Sequence, residues 1–307
     1  MIVSSEDFIE GICHRLFFRD FVVRSPRFRM PGGELREAAD ILVPFRDHLI
    51  SIQVKSRTTS PSAVDRDREI ARLGRRIGEG VRQIKTIMRA IDTGRLETVE
   101  TARGFRVPFD CSRRWQHVGV VILDTPGEEE RSREEQTRLF AYMTRERGIP
   151  THVFHRLDFE LVAHELNTLP DFLEYLQIRT DLIEHGLLAP QTLEHDLLAL
   201  HKMNYESICQ VLAGQTGPLV LEEGIWDTYR TRYAEDIVRR DARNKVSYIV
   251  DEIIERLHMA VGFDIRSEDP LADNASDHFE ETTTQGYMTA IADLASLTRV
   301  KRKIVID

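Results

Sequence analysis

Two apolar runs separated by a short polar break stand out early in the chain. Residues 37–45 form the first run and residues 49–55 form the second. Runs of this length, rich in Ile, Val and Phe and joined by a short polar connection, predict an antiparallel hairpin. Side chains alternate between the two faces of a strand, so Gln53 and Lys55 share one face, which Asp40 on the neighbouring strand can also reach.

The residues before the hairpin predict a helix, a strand and a loop. Ser4 or Ser5 is suited to cap a helix that continues to Phe17, with two acids in its first turn. Residues 21–23 predict the first strand. Residues 24–33, which are rich in Arg, Pro and Gly, predict a loop that leads to the hairpin.

A long amphipathic helix is predicted over residues 65–91, followed by two core strands at 117–123 and 151–154. Residues 93–114 show no clear periodicity and predict an irregular surface segment. Residues 127–133 predict a loop, and residues 136–147 predict a short helix. The apolar positions of the long helix recur at steps of three and four residues: Ile70, Leu73, Ile77, Val81, Ile84 and Met88.

From residue 157 onward the pattern becomes helical. Pro170 lies at the start of one helix, as is common in a first turn. The polar, acidic stretch 267–284 predicts a loop or linker. We therefore expect an α/β protein with two domains, a mixed sheet flanked by helices over residues 1–167 and a mainly helical domain over residues 168–307. The predicted C-terminal helices cover residues 158–166, residues from 169 onward, 194–199 and 225–261.

Composition points to a globular protein without a membrane segment. The chain has 307 residues, of which 41% are hydrophobic, and no apolar run approaches the roughly 18 residues needed to span a bilayer. Its three cysteines are far apart and odd in number, which argues against a disulfide framework or a zinc knuckle. The N-terminus lacks the basic and apolar segments of a signal peptide, so a cytoplasmic location is expected.

The hairpin carries a combination of groups with a specific chemistry. A carboxylate, an amide oxygen and an ammonium group would converge at one end of a small sheet through Asp40, Gln53 and Lys55. Oxygen ligands hold hard divalent cations, and such a cation next to a phosphodiester stabilises the charge that develops there. The alternative is a purely structural role, in which the hairpin is half-buried and its charged residues face solvent.

The hairpin resembles the core motif of the PD-(D/E)xK nuclease superfamily, the restriction-endonuclease-like fold, in the variant in which Gln replaces the second acid. That family has a metal-binding Asp on its second strand and a (D/E/Q)-x-K motif on its third. Those positions match Asp40, Gln53 and Lys55 here. The family also often has a Glu on the helix before the sheet, for which Glu6 and Glu10, one turn apart, are both candidates.

The resemblance covers about the first half of the chain, where the predicted helices and strands follow the order of that fold. It implies a Mg²⁺-dependent endodeoxyribonuclease, with Mn²⁺ as a substitute, in which Asp40 and Gln53 ligate the cation together with Glu6 or Glu10. Lys55 would orient or deprotonate the attacking water or stabilise the transition state. Glu37 resembles a supporting acid found in some branches. Roles in defence against foreign DNA and in DNA repair are both compatible with this resemblance.

Charge is distributed unevenly in a way that bears on DNA binding. The net charge is −9, but the predicted long helix is locally basic and could follow a phosphate backbone. A solvated helical face is the ordinary alternative. The residues we expect to contact DNA are Arg57, Arg72, Arg76 and Arg82.

Partners and the rival functions remain open at this level. Many nucleases of this fold act as dimers, so a homodimer is expected, and the absence of a G-x-x-x-x-G-K-[ST] motif leaves any ATP-driven step to a partner ATPase or another defence component. The alternatives are a catalytically inactive nuclease fold that serves as a scaffold or DNA-binding partner, and a nuclease that acts on RNA.

Overall fold

A computed structural model describes residues 4–30, 32–56, 66–104, 106–125, 143–146, 148–188, 192–217, 219, 221, 224–264 and 276–298 of the protein. Among these residues, five strands follow the first helix, five more follow the second helix, and only helices follow from Arg156 onward. The elements in chain order are α1 (Ser5–Phe17), β1 (Val23–Arg24), β2 (Arg27–Arg29), β3 (Leu35–Glu37), β4 (Ile41–Phe45), β5 (His48–Ser56), α2 (Arg66–Asp92), β6 (Thr98–Glu100), β7 (Arg106–Pro108), β8 (Gln116–Asp124), β9 (Met143–Glu146), β10 (Ile149–His155), α3 (Arg156–Leu166), α4 (Leu169–Glu184), α5 (Glu194–Met203), α6 (Tyr205–Leu212), α7 (Ile225–Arg232), α8 (Ala234–Asp264) and α9 (Ser276–Ala295).

A mixed six-stranded sheet lies at the centre of the first half, in the order β1-β4-β5-β8-β10-β9. The predicted hairpin is β4 and β5, which run antiparallel with Ile41 opposite Ile52 and Phe45 opposite His48. Its turn consists of Arg46 and Asp47. Strands β5, β8 and β10 are parallel, and β1 and β9 pair antiparallel at the two edges. The expected α/β class with a mixed sheet between helices is confirmed at this level.

Helices cover both faces of the sheet. On one face α2 packs through Leu73, Ile77 and Ile84 against Val121 and other side chains of β8 and β10. The opposite face packs against α1 and α3 in the largest apolar cluster. The alternation of buried residues along β5 therefore places one set of side chains under α2 and the other under α1 and α3.

Close packing of α2 on the sheet depends on a glycine of β8. A Cβ at Gly119 would lie 2.5 Å from Thr151 Oγ1 and 3.0 Å from Ile84 Cδ1. Because no real Cβ approaches another heavy atom so closely, a side chain at this position would push the helix and the neighbouring strand apart.

The helical half is joined to the sheet by one continuous apolar cluster. This cluster includes Ile9 of α1, Ile52 of β5, Phe172 of α4, Ile254 of α8 and Ile291 of α9. The expected domain boundary at residue 167 thus falls between two helices that share a core. Within the described parts of the chain, no helix is both long enough and apolar enough to cross a membrane.

Several predicted elements near the hairpin differ from the structure. The strand predicted for residues 37–45 begins only at Ile41, because Ala38 N–H donates to Pro26 O and Ser25 N–H donates to Asp40 O, which takes this segment out of the main ladder. Glu37 belongs to β3, which pairs with β2 in a separate small sheet. Residues 24–33 are therefore only partly loop, and the first strand begins two residues later and ends one residue later than predicted.

Other differences concern segments in which tertiary pairing overrides local pattern. Residues 93–114 contain a second small sheet, β6 and β7. Residues 143–146, predicted as the end of a helix, form the edge strand β9, while residues 126–142 lie outside the described part. The helix predicted for residues 225–261 is interrupted at Tyr233. Helix α9 begins at Ser276 inside the segment predicted as a linker.

Candidate active site

Asp40 is held at the open end of the β4–β5 hairpin. Its Oδ2 accepts a hydrogen bond of 2.6 Å from Val54 N–H on the neighbouring strand. Its carbonyl oxygen accepts one of 2.9 Å from Ser25 N–H. Only 13% of its side chain is exposed. These contacts fix the position of the carboxylate and leave its Oδ1 without a hydrogen-bond partner among the described residues.

Lys55 and Gln53 lie beside this carboxylate. Lys55 Nζ donates a 3.3 Å hydrogen bond to Gln53 Oε1 and lies 3.9 Å from Asp40 Oδ2. Gln53 is fully buried, and within the described part of the chain its Nε2 has no hydrogen-bond partner. The structure therefore brings together the three residues of the motif. It also shows that Lys55 is largely buried, since only 10% of its side chain is exposed.

Glu6 is electrostatically coupled to the same site. Burial raises the pKa of Glu6, and the negative charges of Asp40 and Glu37 raise it further, whereas the positive charges of Arg24 and Lys55 lower it. Burial is also the main cause of the raised pKa of Asp40, which Glu37 raises further, against the lowering effects of Val54 N–H and Lys55. Burial is thus the main cause for both acids, and the charges around them add smaller effects of both signs.

The structure distinguishes the two candidate acids of α1. The carboxylate of Glu10 accepts a 2.8 Å hydrogen bond from Arg24 Nη1 and lies 3.4 Å from His14 Nε2. Glu10 is therefore paired with the guanidinium of Arg24, whereas Glu6 has no ion pair among the described residues. Glu37 lies at the edge of the site, where its Oε1 accepts a 3.1 Å hydrogen bond from Ser25 Oγ.

The donors at this site suit a hard divalent cation. Asp40 and Glu6 supply carboxylates, Gln53 supplies an amide oxygen, and Mg²⁺ prefers oxygen ligands of these kinds. Burial is the main cause of the raised pKa of both acids, and a bound cation would favour their charged forms. Among the residues described, no group of three or more His, Cys, Asp or Glu side chains is arranged to hold a metal ion.

The arginines expected to contact DNA are only partly described. Arg72, Arg76 and Arg82 are exposed on the outer face of α2, away from the side that packs on the sheet. Arg76 forms a 3.3 Å ion pair with Glu79 on the same helix. Arg57 lies in residues 57–65, outside the described part of the chain. The described arginines therefore form a solvent-facing basic surface on the helix that follows β5.

Two residues next to the site cannot be identified from the sequence alone. Arg24 and Ser25 both fall in the segment predicted to be a loop, where no motif marks them. Arg24 contacts two acids of α1, and Ser25 contacts both Glu37 and Asp40. Ser25 also has a φ of +45°, which is uncommon for a residue with a side chain. Only the tertiary structure shows that these neighbours connect the acid-bearing segments.

Comparisons with protein-family models, curated proteins and solved structures found no match for this chain. The comparisons therefore identify neither a family nor an activity. Asp40, Gln53, Lys55 and Glu6, with the contacts around them, are the basis on which a function is proposed.

Proposed function

We propose that this protein is a metal-dependent nuclease that hydrolyses phosphodiester bonds in DNA. The observation that carries this proposal is the convergence of Asp40, Gln53 and Lys55 at the open end of one hairpin. A carboxylate and an amide oxygen can hold a divalent cation, and an ammonium group can stabilise the charge that develops on a phosphate.

Each residue has a defined part in this chemistry. Asp40, Gln53 and Glu6 would hold Mg²⁺, with Mn²⁺ as a substitute, and the bound ion would supply an acidified water and neutralise charge on the phosphate. Lys55 donates hydrogen bonds only and cannot accept a proton while charged, so its ammonium group stabilises negative charge on the phosphate oxygens. Gln53 and Asp40 hold that ammonium group in place through the contacts of 3.3 Å and 3.9 Å.

The basic outer face of α2 supports a nucleic-acid substrate. Arg72, Arg76 and Arg82 are exposed on the helix that packs against β5, the strand that carries Gln53 and Lys55. Exposed arginines along a helix neutralise successive phosphates and make binding depend on salt concentration. Replacing one of them with Gln should weaken DNA binding at all sequences alike and reduce its dependence on salt.

A cleavage assay tests the proposal directly. Supercoiled and linear DNA are incubated with the protein in Mg²⁺, in Mn²⁺ and in EDTA, next to Asp40→Asn and Lys55→Met. The wild-type protein should nick DNA only with a divalent cation, and both variants should lose at least about 100-fold in rate, the loss typical of removing one group that stabilises transition-state charge. RNA substrates in parallel show which nucleic acid is cleaved.

Lys55→Met is preferred to Lys55→Ala because Lys55 is not an exposed side chain. Methionine keeps much of the apolar stem that packs at this position, so the variant removes the charge without opening a cavity. Circular dichroism should show the same folded content as the wild type. Cleavage that persists in Lys55→Met would overturn the proposed role of Lys55. A folded wild type that neither cleaves nor binds Mn²⁺ would instead identify the protein as a scaffold.

A further inference from the structure

The hairpin formed by β2 and β3 leaves the body of the protein at the candidate site and returns to it there. Ser25 N–H donates a 2.9 Å hydrogen bond to the carbonyl oxygen of Asp40, and Ala38 N–H donates one of 2.8 Å to that of Pro26. Both strands lie between residues 25 and 40. Because the outer of these two bonds ends on Asp40 itself, the base of the β2–β3 hairpin is part of the site.

The β2–β3 hairpin is fixed on the protein through one of its faces. Phe28 is 3% exposed and packs in an apolar cluster with Leu42 and Ile91. Arg29 N–H also donates a 3.3 Å hydrogen bond to the carbonyl oxygen of Arg95. The other face is therefore held in place relative to Asp40 before any ligand arrives, which lowers the entropy cost of binding.

That other face exposes two arginines and an apolar side chain. In the antiparallel register Arg27 lies opposite Glu37 and Arg29 lies opposite Leu35, so these four side chains share a face. All four residues are exposed, Leu35 to 61%. Among the described residues, Arg27 has no hydrogen bond or ion pair from its side chain, and the guanidinium of Arg29 contacts only a backbone oxygen. Both guanidinium groups are thus available to an anionic ligand.

The chemistry of this face suits a nucleic-acid strand. Guanidinium groups bind phosphate oxygens with two parallel hydrogen bonds, and apolar side chains contact sugars and bases. Arg27 and Arg29 are two residues apart on a strand, about 7 Å, so each can meet a phosphate of its own.

We propose that the exposed face of the β2–β3 hairpin binds the DNA strand beside the bond that is cleaved, with Arg27 and Arg29 on its phosphates and Leu35 against its sugars or bases. This inference rests on the proposed function, since it routes the DNA past Asp40. It assigns to the protein a contact surface on the strand side of the site, in addition to the basic face of α2.

Binding of a fluorescent DNA duplex in EDTA, measured over a range of salt concentrations, tests this surface without cleavage. The double variant Arg27→Gln with Arg29→Gln should bind more weakly. The slope of log K against the logarithm of salt concentration should fall by about 1.8, because each lost phosphate contact on duplex DNA removes about 0.9. Leu35→Ser should weaken binding with an unchanged slope, because it removes an apolar contact and no charge.

The opposite results are equally well defined. A wild-type slope in the double glutamine variant would overturn the proposal, and wild-type affinity in Leu35→Ser would overturn the part assigned to Leu35. Replacing both arginines with Lys keeps two positive charges and should keep the slope. A slope that fell as far in the lysine variant as in the glutamine variant would contradict the assignment to charge. Thermal unfolding of each variant reports any loss of fold.

A matched control removes two charges elsewhere. Arg230→Gln with Arg232→Gln changes exposed positions of α7 in the helical half and should leave the slope as in the wild type. An equal fall in slope there would show that net charge, and not the β2–β3 hairpin, governs binding, and would overturn the proposal.

Cleavage assays on the same proteins separate this inference from the proposed function. Asp40→Asn should bind the duplex and fail to cleave it in Mg²⁺. Wild-type protein that binds no DNA overturns both. Cleavage that needs Asp40, together with a salt slope that does not depend on Arg27 and Arg29, overturns the inference alone. Binding that depends on the β2–β3 hairpin without any cleavage in Mg²⁺ or Mn²⁺ overturns the proposed function alone.

Discussion

At the scale of single residues, the site is an arrangement of charges that the fold holds at a cost to stability. The carboxyl groups of Asp40 and Glu6 have raised pKa values because they are partly buried and close to other acids. When an acid has a higher pKa in the folded than in the unfolded chain, the folded protein becomes less stable as the pH rises from the unfolded-state pKa to the folded-state pKa. Functional sites commonly carry such unfavourable groups because removing them would remove the chemistry.

Asp40→Asn should therefore stabilise the metal-free protein at neutral pH. Asparagine keeps an oxygen that can accept from Val54 N–H but carries no charge, so the variant should melt at a higher temperature than the wild type. The difference should shrink as the pH falls below the range in which carboxylates titrate, because Asp40 is then neutral in both states. Thermal melts in EDTA between acid and neutral pH measure this trend.

Asp110→Asn provides a control of opposite sign. Hydrogen bonds from the hydroxyl and backbone N–H of Ser112 and from Arg113 N–H lower the pKa of Asp110. The carboxylate of Asp110 thus contributes stability above its ordinary titration range, and Asp110→Asn should lower the melting temperature at neutral pH. Equal shifts in the same direction for both variants would contradict this account of the site.

At the scale of secondary-structure elements, a buried ionic network joins β10, α4 and α5. The fully buried Arg179 forms a 3.0 Å ion pair with Glu194, and its Nη1 lies 3.0 Å from His152 Nδ1. Tyr175 O–H donates a 2.7 Å hydrogen bond to Glu194. Burial and the charge of Arg179 keep the pKa of His152 well below its usual range. His152 is therefore neutral and belongs to the network as an uncharged partner of Arg179.

Breaking this network on one side should be strongly destabilising. Arg179→Met leaves the carboxylate of Glu194 buried without its cation, which we expect to lower the free energy of unfolding by about 3–5 kcal/mol. The double variant Arg179→Met with Glu194→Gln removes both charges and should recover part of that loss. Urea unfolding midpoints measure the differences.

An exposed arginine supplies the matched comparison. Arg239 pairs with Glu235 at 3.1 Å on the surface of α8, where its side chain is 65% exposed. Arg239→Met should change the free energy of unfolding by less than about 1 kcal/mol, because exposed ion pairs contribute little. A comparable loss from Arg239→Met and Arg179→Met would show that burial does not determine the contribution of these ion pairs.

At the scale of the whole molecule, residues far apart in sequence meet at a buried acid. Asp20 is fully buried between α1 and β1, where its Oδ2 accepts a 3.0 Å hydrogen bond from Arg103 Nε. Its Oδ1 accepts one of 2.8 Å from the hydroxyl of Tyr287 on α9. Arg103 also lies 2.5 Å from Glu255 on α8. One acid near the N-terminus thus connects the sheet region to the two C-terminal helices.

Tyr287→Phe should loosen the attachment of α9. The variant keeps the ring but leaves an oxygen of Asp20 buried without this partner. This should lower the free energy of unfolding by about 1–3 kcal/mol. Amide hydrogen exchange should become faster in residues 286–295 and remain unchanged in β5 and β8, because opening of α9 alone exposes only its own backbone. Tyr233→Phe, which removes a hydroxyl that forms no hydrogen bond with Asp20, should leave α9 protected.

Unchanged exchange of α9 in Tyr287→Phe would show that apolar packing alone holds this helix. That packing is substantial, because Tyr287, Ile291 and Ala295 are all buried in the largest cluster. The position of α9 therefore depends on both contributions, and the exchange experiment separates the hydrogen bond from the apolar contacts.

The amino-acid sequence by itself determined the parts of this protein that depend on local pattern. The apolar alternation around Asp40, Gln53 and Lys55 specifies a hairpin whose motif residues share a face, since side chains along a strand alternate. The three- and four-residue apolar steps from Leu73 onward specify α2, and Thr168 and Pro170 mark the start of α4. These features follow from the geometry of a single strand or helix, which neighbouring residues are sufficient to encode.

Only the tertiary structure decided which residues meet across long separations. Edge strand β9 forms because it pairs with β10. Ala38 and Asp40 lie outside the main sheet because their backbone groups form hydrogen bonds with Pro26 and Ser25. Glu10 pairs with Arg24, fourteen residues further along the chain. Such contacts have no local periodicity, because they depend on how elements pack, and packing is settled by shape, burial and charge across the whole chain.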